Sequence, residues 1–312
     1  MSLTEADVAW CYREFLNRPP ESEEIVEQFV ASCENWRMLV RNFLFSQEFL
    51  ERMANVSLTS NPAALSNVNY LSEQVISYAQ NGEDVLLNRA FQGKSNGSFI
   101  DVGAGHPLYD NVTFWQRRKG WRGVNIEPNP FFYMELQKLR PDDVNLNVGL
   151  ADRDAVLTFY QVEQNEHGHG WGLSSFDPRA EQTASQLGFK VNQMPARVTT
   201  LDQIVEERFP KGVDLIKISA EGYEQAIVLF TDWRRTKAQV ICIRALEPNS
   251  AVPAWPKWEV ALMKAGYRCA AFDGINRYYC RAEDAATLTQ LSAPVCCNDR
   301  YRRATGKDYE VS

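Results

Sequence analysis

Long apolar runs are missing: nowhere do 18 or more apolar residues follow one another, which argues against a membrane-spanning helix. The first residues, Met1-Ser2-Leu3-Thr4-Glu5, lack the basic start and apolar stretch of a secretory leader, so a cytoplasmic location is expected. Positive charge is not in excess either. The 33 Lys and Arg stand against 40 Asp and Glu, a net charge of −7, and a nucleic-acid partner, which draws its affinity from clustered cations, is not expected. Histidine is scarce, with three in the chain, and the seven cysteines form no C-x-x-C pair or other matched ligand spacing. The thiols are therefore expected to be free and mostly buried, and no metal is expected.

What remains is ordinary for a chain that buries a core: 45% hydrophobic and 23% charged residues over 312 positions, long enough for two domains. Near the N-terminus apolar residues recur at helical spacing, as in Val8, Cys11, Tyr12, Phe15 and Leu16, and again in Trp36, Leu39, Val40, Phe43 and Leu44. Asn17-Arg18-Pro19-Pro20 interrupts the pattern, and Ser22 before Glu23 and Glu24 suits a new helix start. Residues 1–56 thus read as a helical bundle, and 57–70, small and polar, as a linker. From 71 to 285 short β-rich runs alternate with helical ones, the pattern of a parallel sheet covered by helices. The runs lie at 98–102, 123–127, 144–149, 156–161, 213–219 and 239–246. Two further runs, 267–272 and 275–281, flank Asp273-Gly274, a hairpin signal that closes the α/β sheet on an antiparallel pair. Residues 286–312 are expected to form a short helix and a loose tail.

The strongest site signal is Phe99-Ile100-Asp101-Val102-Gly103-Ala104-Gly105, an apolar strand running into a D-x-G-x-G turn. Glycines let backbone approach a ligand closely, and open α/β sheets bind ligands at the carboxyl ends of their strands. Asp101 is placed to hold the ammonium group of a methionine moiety. The third glycine of a pyrophosphate loop is absent, Leu108 standing in its place, and a carboxylate at the strand end repels phosphate. This counts against a nicotinamide-dependent oxidoreductase. The next strand ends in Glu127-Pro128-Asn129, about 20 residues on, where an acid commonly binds ribose hydroxyls. Together the two strand ends point to a nucleoside ligand without phosphate.

The run Ser77-Tyr78-Ala79-Gln80-Asn81-Gly82-Glu83-Asp84-Val85-Leu86-Leu87, followed by the D-V-G-A-G turn, Glu127-Pro128-Asn129-Pro130, Thr199-Thr200-Leu201-Asp202 and Asp214-Leu215-Ile216-Lys217-Ile218-Ser219-Ala220-Glu221-Gly222, resembles the FkbM family of methyltransferases over residues 76–281. The resemblance implies a class I methyltransferase fold, a Rossmann-like α/β sheet ending in an antiparallel hairpin, here behind a small N-terminal all-α domain. It implies S-adenosylmethionine as cofactor and a hydroxyl of a sugar, glycan or glycosylated natural product as acceptor. By the same resemblance Asp101, Gly103, Gly105, Glu127, Pro128 and Asn129 line the cofactor, Asn147 and Gly149 lie near the adenine, and Gln80 and Asp84 pack against the methionine end. The helical bundle resembles short domains found beside bacterial glycosyltransferases and methyltransferases, carried here by Tyr12-Arg13, Leu16-Asn17-Arg18-Pro19 and Ser46-Gln47-Glu48-Phe49. Its expected part is positioning, or pairing with a protein partner or a second copy.

Two departures from the family pattern bear on chemistry. Ser219 stands where the family has a carboxylate before the E-G pair, and Arg244 where a second acid is expected on the following strand. Their loss weakens the case for a metal or for those carboxylates as bases. It also leaves an alternative open, a cofactor-binding module with an altered catalytic site that acts as a regulatory or interaction protein. For proton removal the candidates are Glu221, His106 beside the glycine turn, and His169, with Ser219 at the same strand end. The Gly-rich segment 166–175 reads as a wall over the substrate, with Trp171 and Ser175 as candidate contacts. Asn276 and Arg277 of the terminal hairpin are expected at the mouth of the site.

Overall fold

The computed structural model describes residues 3–16, 18–33, 38, 39, 42, 43, 46, 48, 67–71, 73–163 and 172–309. The chain divides into two compact units, Met1–Asn67 and Val68–Ser312. In the first, helix Glu5–Leu16 starts where Thr4 and Asp7 exchange side-chain to backbone hydrogen bonds. Helix Glu23–Ser32 starts at Ser22, whose hydroxyl accepts from Ile25 N–H. Val8, Cys11, Tyr12, Leu16, Val26, Leu39 and Phe43 share one buried cluster, as their helical spacing predicts.

The second unit is built on a seven-stranded sheet. Its strands are β2 (Ser98–Val102), β3 (Arg122–Ile126), β4 (Val144–Leu146), β8 (Leu215–Ile218), β9 (Val240–Arg244), β10 (Tyr267–Phe272) and β11 (Asn276–Arg281). They lie in the order β4-β3-β2-β8-β9-β11-β10. The first five run parallel, and β11 inserts antiparallel between β9 and β10. This is the class I methyltransferase sheet. Successive residues of each central strand enter opposite layers of core: Ile100, Ile216 and Ile241 pack with Trp233 and Trp258, while Phe99, Leu215 and Val240 pack with Trp121. Both faces are covered, so the strands read as continuous apolar runs. Order reverses between β2 and β8, and the crevice at their carboxyl ends is where such sheets take ligands.

Two expectations need correction. The run at 156–161 does not join the main sheet. It belongs to β6 (Ala155–Val162), which pairs antiparallel with β7 (Val191–Thr199), itself parallel to β5 (Gly149–Leu150). Most of β6 is no more than half-buried, which suits a sheet solvated on one face rather than a central parallel strand. Nor is the C-terminal stretch loose. After helix Ala285–Ser292, β12 (Tyr301–Arg303) pairs in parallel with β1 (Val75–Ser77). The Asp299 carboxylate meets the Arg89 guanidinium at 3.2 Å, both side chains fully buried, and Arg89 also donates to the carbonyls of Gln290 and Ala293. A buried ion pair with its remaining donors satisfied holds that stretch in place.

Candidate active site

The glycine turn leaves β2 with Gly103 and Gly105 both at positive φ, +66° and +60°. A Cβ on Gly103 would lie 1.9 Å from the Ser219 carbonyl oxygen at the end of β8, so glycine is required there by close approach. At Gly105 nothing lies within 4 Å of the corresponding position; that face opens into a cavity of about 260 Å³. Gly105 N–H donates to Glu127 Oε2 at 2.7 Å, and Asn129 N–H donates to Oε1 at 2.8 Å. The Glu127 carboxylate thus spans the turn and the start of helix Pro130–Leu139, which Asn129 caps through Phe131 N–H. Burial raises Glu127 to about 7 against these two backbone donors. A carboxylate offers about four lone-pair directions, so two remain for hydroxyl donors. Asn147 stands behind, its amide donating to the carbonyls of Glu127 and Pro128.

The cavity has an apolar wall made by Ile126, Phe132, Leu150, Phe159 and Phe176. Gly149 is glycine because Phe176 packs on it, with 2.2 Å from the ring to a built Cβ. Gln80 reaches the cavity at the far end of a segment fastened by Asp84, whose carboxylate accepts from Ser77 Oγ, Tyr78 N–H and Ala79 N–H. Asp84 is fully buried and does not line the cavity; it shapes the segment that does.

Asp101 differs more sharply from expectation. Its side chain is fully buried, accepts from Thr113 Oγ1 at 2.7 Å, and lies 3.1 Å from Lys217 Nζ. Lys217, on β8 directly across from Asp101 in register, also donates to Gly103 O at 2.7 Å and lines the cavity. Arg140 closes the network beneath, donating to Thr113, Asn111 and Pro107 O. Asp101 therefore fixes the turn through Lys217 and does not line the cavity, although its Oδ1 accepts no hydrogen bond. Sequence reasoning missed Lys217, although a lysine flanked by isoleucines in an apolar strand demands a partner.

At the end of β8, Ser219, Ala220 and Glu221 line the cavity with Ser175, whose hydroxyl donates to Ala220 O. Glu221 has φ +47°, a backbone conformation that costs a non-glycine residue energy and recurs at functional sites. Its Oε1 lies 3.2 Å from Arg244 Nη1. Burial pushes Glu221 up to about 7, with Arg244 opposing the rise. His106 also lines the cavity, but its Nδ1 accepts from Leu108 and Tyr109 N–H. The neutral ring then carries its proton on Nε2, a donor rather than a base, and burial lowers its pKa to about 4. His106 is thereby set aside as a general base.

Asn276 and Arg277 do not reach the cavity. Asn276 donates to Glu83 and Asp273, and Arg277 pairs with Glu259 at 2.8 Å over the Trp255 ring. Strand β11 lies between β9 and β10, and these two polar side chains find partners on the neighbouring elements. His169 and Trp171 lie outside the described residues. Among the described residues no three His, Cys, Asp or Glu side chains gather as metal ligands, and no helix is long and apolar enough to cross a membrane.

Residues 101–269 match the methyltransferase FkbM domain family. That match does not extend to the N-terminal helices. Among solved structures the chain is similar to a TehB-like SAM-dependent methyltransferase from Corynebacterium glutamicum, at 10% identity and TM-score 0.35 over 75% of this chain and 97% of that one. It is also similar to the mitomycin 7-O-methyltransferase MmcR, at 12% identity and TM-score 0.30 over 90% and 74%. No curated protein matches.

Proposed function

This chain belongs to the FkbM methyltransferase family, matched over more than half of its length, and we propose that it methylates a hydroxyl of a sugar, glycan or glycosylated natural product using S-adenosylmethionine. The observation that carries the reading is one cavity in which the Glu127 carboxylate, the open face of Gly105 and the buried Glu221 converge.

The residues fit that cofactor. Glu127 accepts hydrogen bonds from a ribose diol, the wall of Phe132, Leu150, Phe159 and Phe176 takes the adenine, and Gln80 borders the methionine end. A pyrophosphate fits poorly, because Lys217 and Arg244, the cations lining the cavity, are already paired with Asp101 and Glu221. When bound, the cofactor supplies a sulfonium-activated methyl group: the O–CH₃ bond forms as the S–CH₃ bond breaks and sulfur keeps the electron pair. Glu221 takes the hydroxyl proton. A carboxylate near 7 is half ionised at neutral pH, which suits a general base. Ser175, tied to the Ala220 carbonyl, holds the strand-end turn that presents Glu221.

Calorimetric titration with S-adenosylmethionine and S-adenosylhomocysteine tests the cofactor. Binding is expected, and Glu127→Ala should weaken it at least about tenfold, or about 1.4 kcal/mol. No binding to the intact protein refutes the reading. The altered-module alternative draws on Arg244, which neutralises the Glu221 carboxylate; cofactor binding without turnover in any extract would favour it.

A further inference from the structure

Beside the first cavity lies a second one of about 380 Å³, and Leu173, Glu221 and Asn249 line both. An occupant of the second cavity therefore meets the Glu221 carboxylate and, past it, the space assigned above to the cofactor. One wall is the start of helix Arg179–Gln186, with Asp177, Arg179 and Thr183; the other is the loop after β9, with Glu247, Ser250 and Val252. That loop is held in shape. Leu246 bridges Pro253, Glu247 N–H donates to Val252 O, and Ser250 Oγ donates to Glu247 O.

Arg179 ties the walls together, donating through Nε to Asp177 Oδ2 at 2.8 Å and approaching Glu247 Oε2 at 3.2 Å through Nη1. Glu247 also pairs with Lys257. The cavity thus presents three carboxylates, Asp177, Glu221 and Glu247, against one lining cation whose guanidinium is engaged by two of them. Each carboxylate already has a cationic partner, Arg179, Arg244 or Lys257, so a phosphate or carboxylate entering here finds no unengaged cation to pair with. Hydroxyls find the reverse: the carboxylates keep lone pairs to accept from them, and Asn249 and Ser250 both donate and accept. Leu173, Pro248 and Val252 supply apolar surface for the C–H face of a ring.

We propose that this second cavity is the acceptor site, and that it takes a hydroxyl-rich acceptor bearing no anionic group, a neutral pyranoside rather than a uronic acid or sugar phosphate. The inference rests on the methyl-transfer reading above. Its reacting hydroxyl lies at the shared wall, where Glu221 receives the proton.

Saturation-transfer NMR on the full chain loaded with S-adenosylhomocysteine tests it. The probes are methyl glycosides of glucose, galactose, mannose and rhamnose at millimolar concentration, beside glucuronate, galacturonate and the 6-phosphates of glucose, galactose and mannose. At least one neutral glycoside should bind, its charged counterpart at least about tenfold more weakly. Thr183→Trp, which fills the cavity from the helix, should abolish the signal, and Glu247→Gln should narrow the discrimination. Equal or tighter binding of the anionic probes, survival of the signal in Thr183→Trp, or no signal from any glycoside overturns the proposal. Calorimetry of S-adenosylhomocysteine on the same samples separates the two failures: without it the methyl-transfer reading falls, whereas cofactor binding with no sugar binding sinks only the acceptor site.

Discussion

Replacing Arg244 by methionine removes the guanidinium held 3.2 Å from Glu221 and leaves a buried carboxyl with its desolvation cost largely unopposed. Glu221 lies at about 7 in the intact protein, so roughly half of it is ionised at neutral pH. An opposite charge in contact lowers a carboxylate by about 1–3 pH units, and losing it returns that amount. The Glu221 midpoint should therefore move to about 8 or above, and the ionised fraction at pH 7 should fall from about a half to about a tenth or less. The sign follows from the role of the group. If ionised Glu221 accepts the proton, kcat/KM rises with pH through its midpoint, and in Arg244→Met that rising limb shifts to higher pH.

The assay has two parts. A carbon-detected titration of isotope-labelled glutamate carboxyls reads the midpoint without needing an acceptor, and the pH profile of methyl transfer reads its consequence. Activity at pH 7 should drop at least about fivefold while the high-pH plateau recovers. Arg244→Lys, which keeps the charge but loses the planar fork, should stay nearer the parent midpoint. An unchanged or lowered midpoint in Arg244→Met would refute the electrostatic argument. A raised midpoint with an unmoved activity profile would remove Glu221 as the base.

Two further predictions separate loop geometry from ligand space and test the C-terminal stretch. Gly103→Ala places a methyl 1.9 Å from the Ser219 carbonyl at φ +66°, and should cost more than about 2 kcal/mol of stability, read as a lowered Tm. Gly105→Ala meets no protein atom within 4 Å, so it should cost only about 1 kcal/mol of stability yet sharply weaken calorimetric binding of S-adenosylhomocysteine; equal effects of the two variants on stability would contradict this assignment. Asp299→Ala leaves Arg89 charged and fully buried and should lose about 3–5 kcal/mol in denaturant unfolding, whereas a surface substitution such as Lys307→Ala should change little.

The contrast between Glu127 and Asp101 marks how far the sequence was legible. Helical spacing in residues 5–16, the alternation of β-rich and helical runs, the Asp-Gly hairpin and the glycine turn are local patterns, and each formed where its periodicity placed it. Glu127 was also legible, because a strand end following a glycine turn is defined by a few neighbouring residues. Asp101 sits in an equally recognisable motif, yet its role depends on Lys217, whose own bond to Gly103 spans 114 positions, and Arg89 finds Asp299 across 210. Periodicity carries no information about such pairings. The stereochemistry of the sheet supplies it: β2 and β8 are parallel neighbours with Asp101 opposite Lys217 in register. The Asp101 Oδ2 rests on Thr113 while Oδ1 faces Lys217 without a hydrogen bond, and the side chain does not line the cavity. The turn is therefore held by a buried charge pair from below, while Glu127 and the apolar wall line the cavity above it.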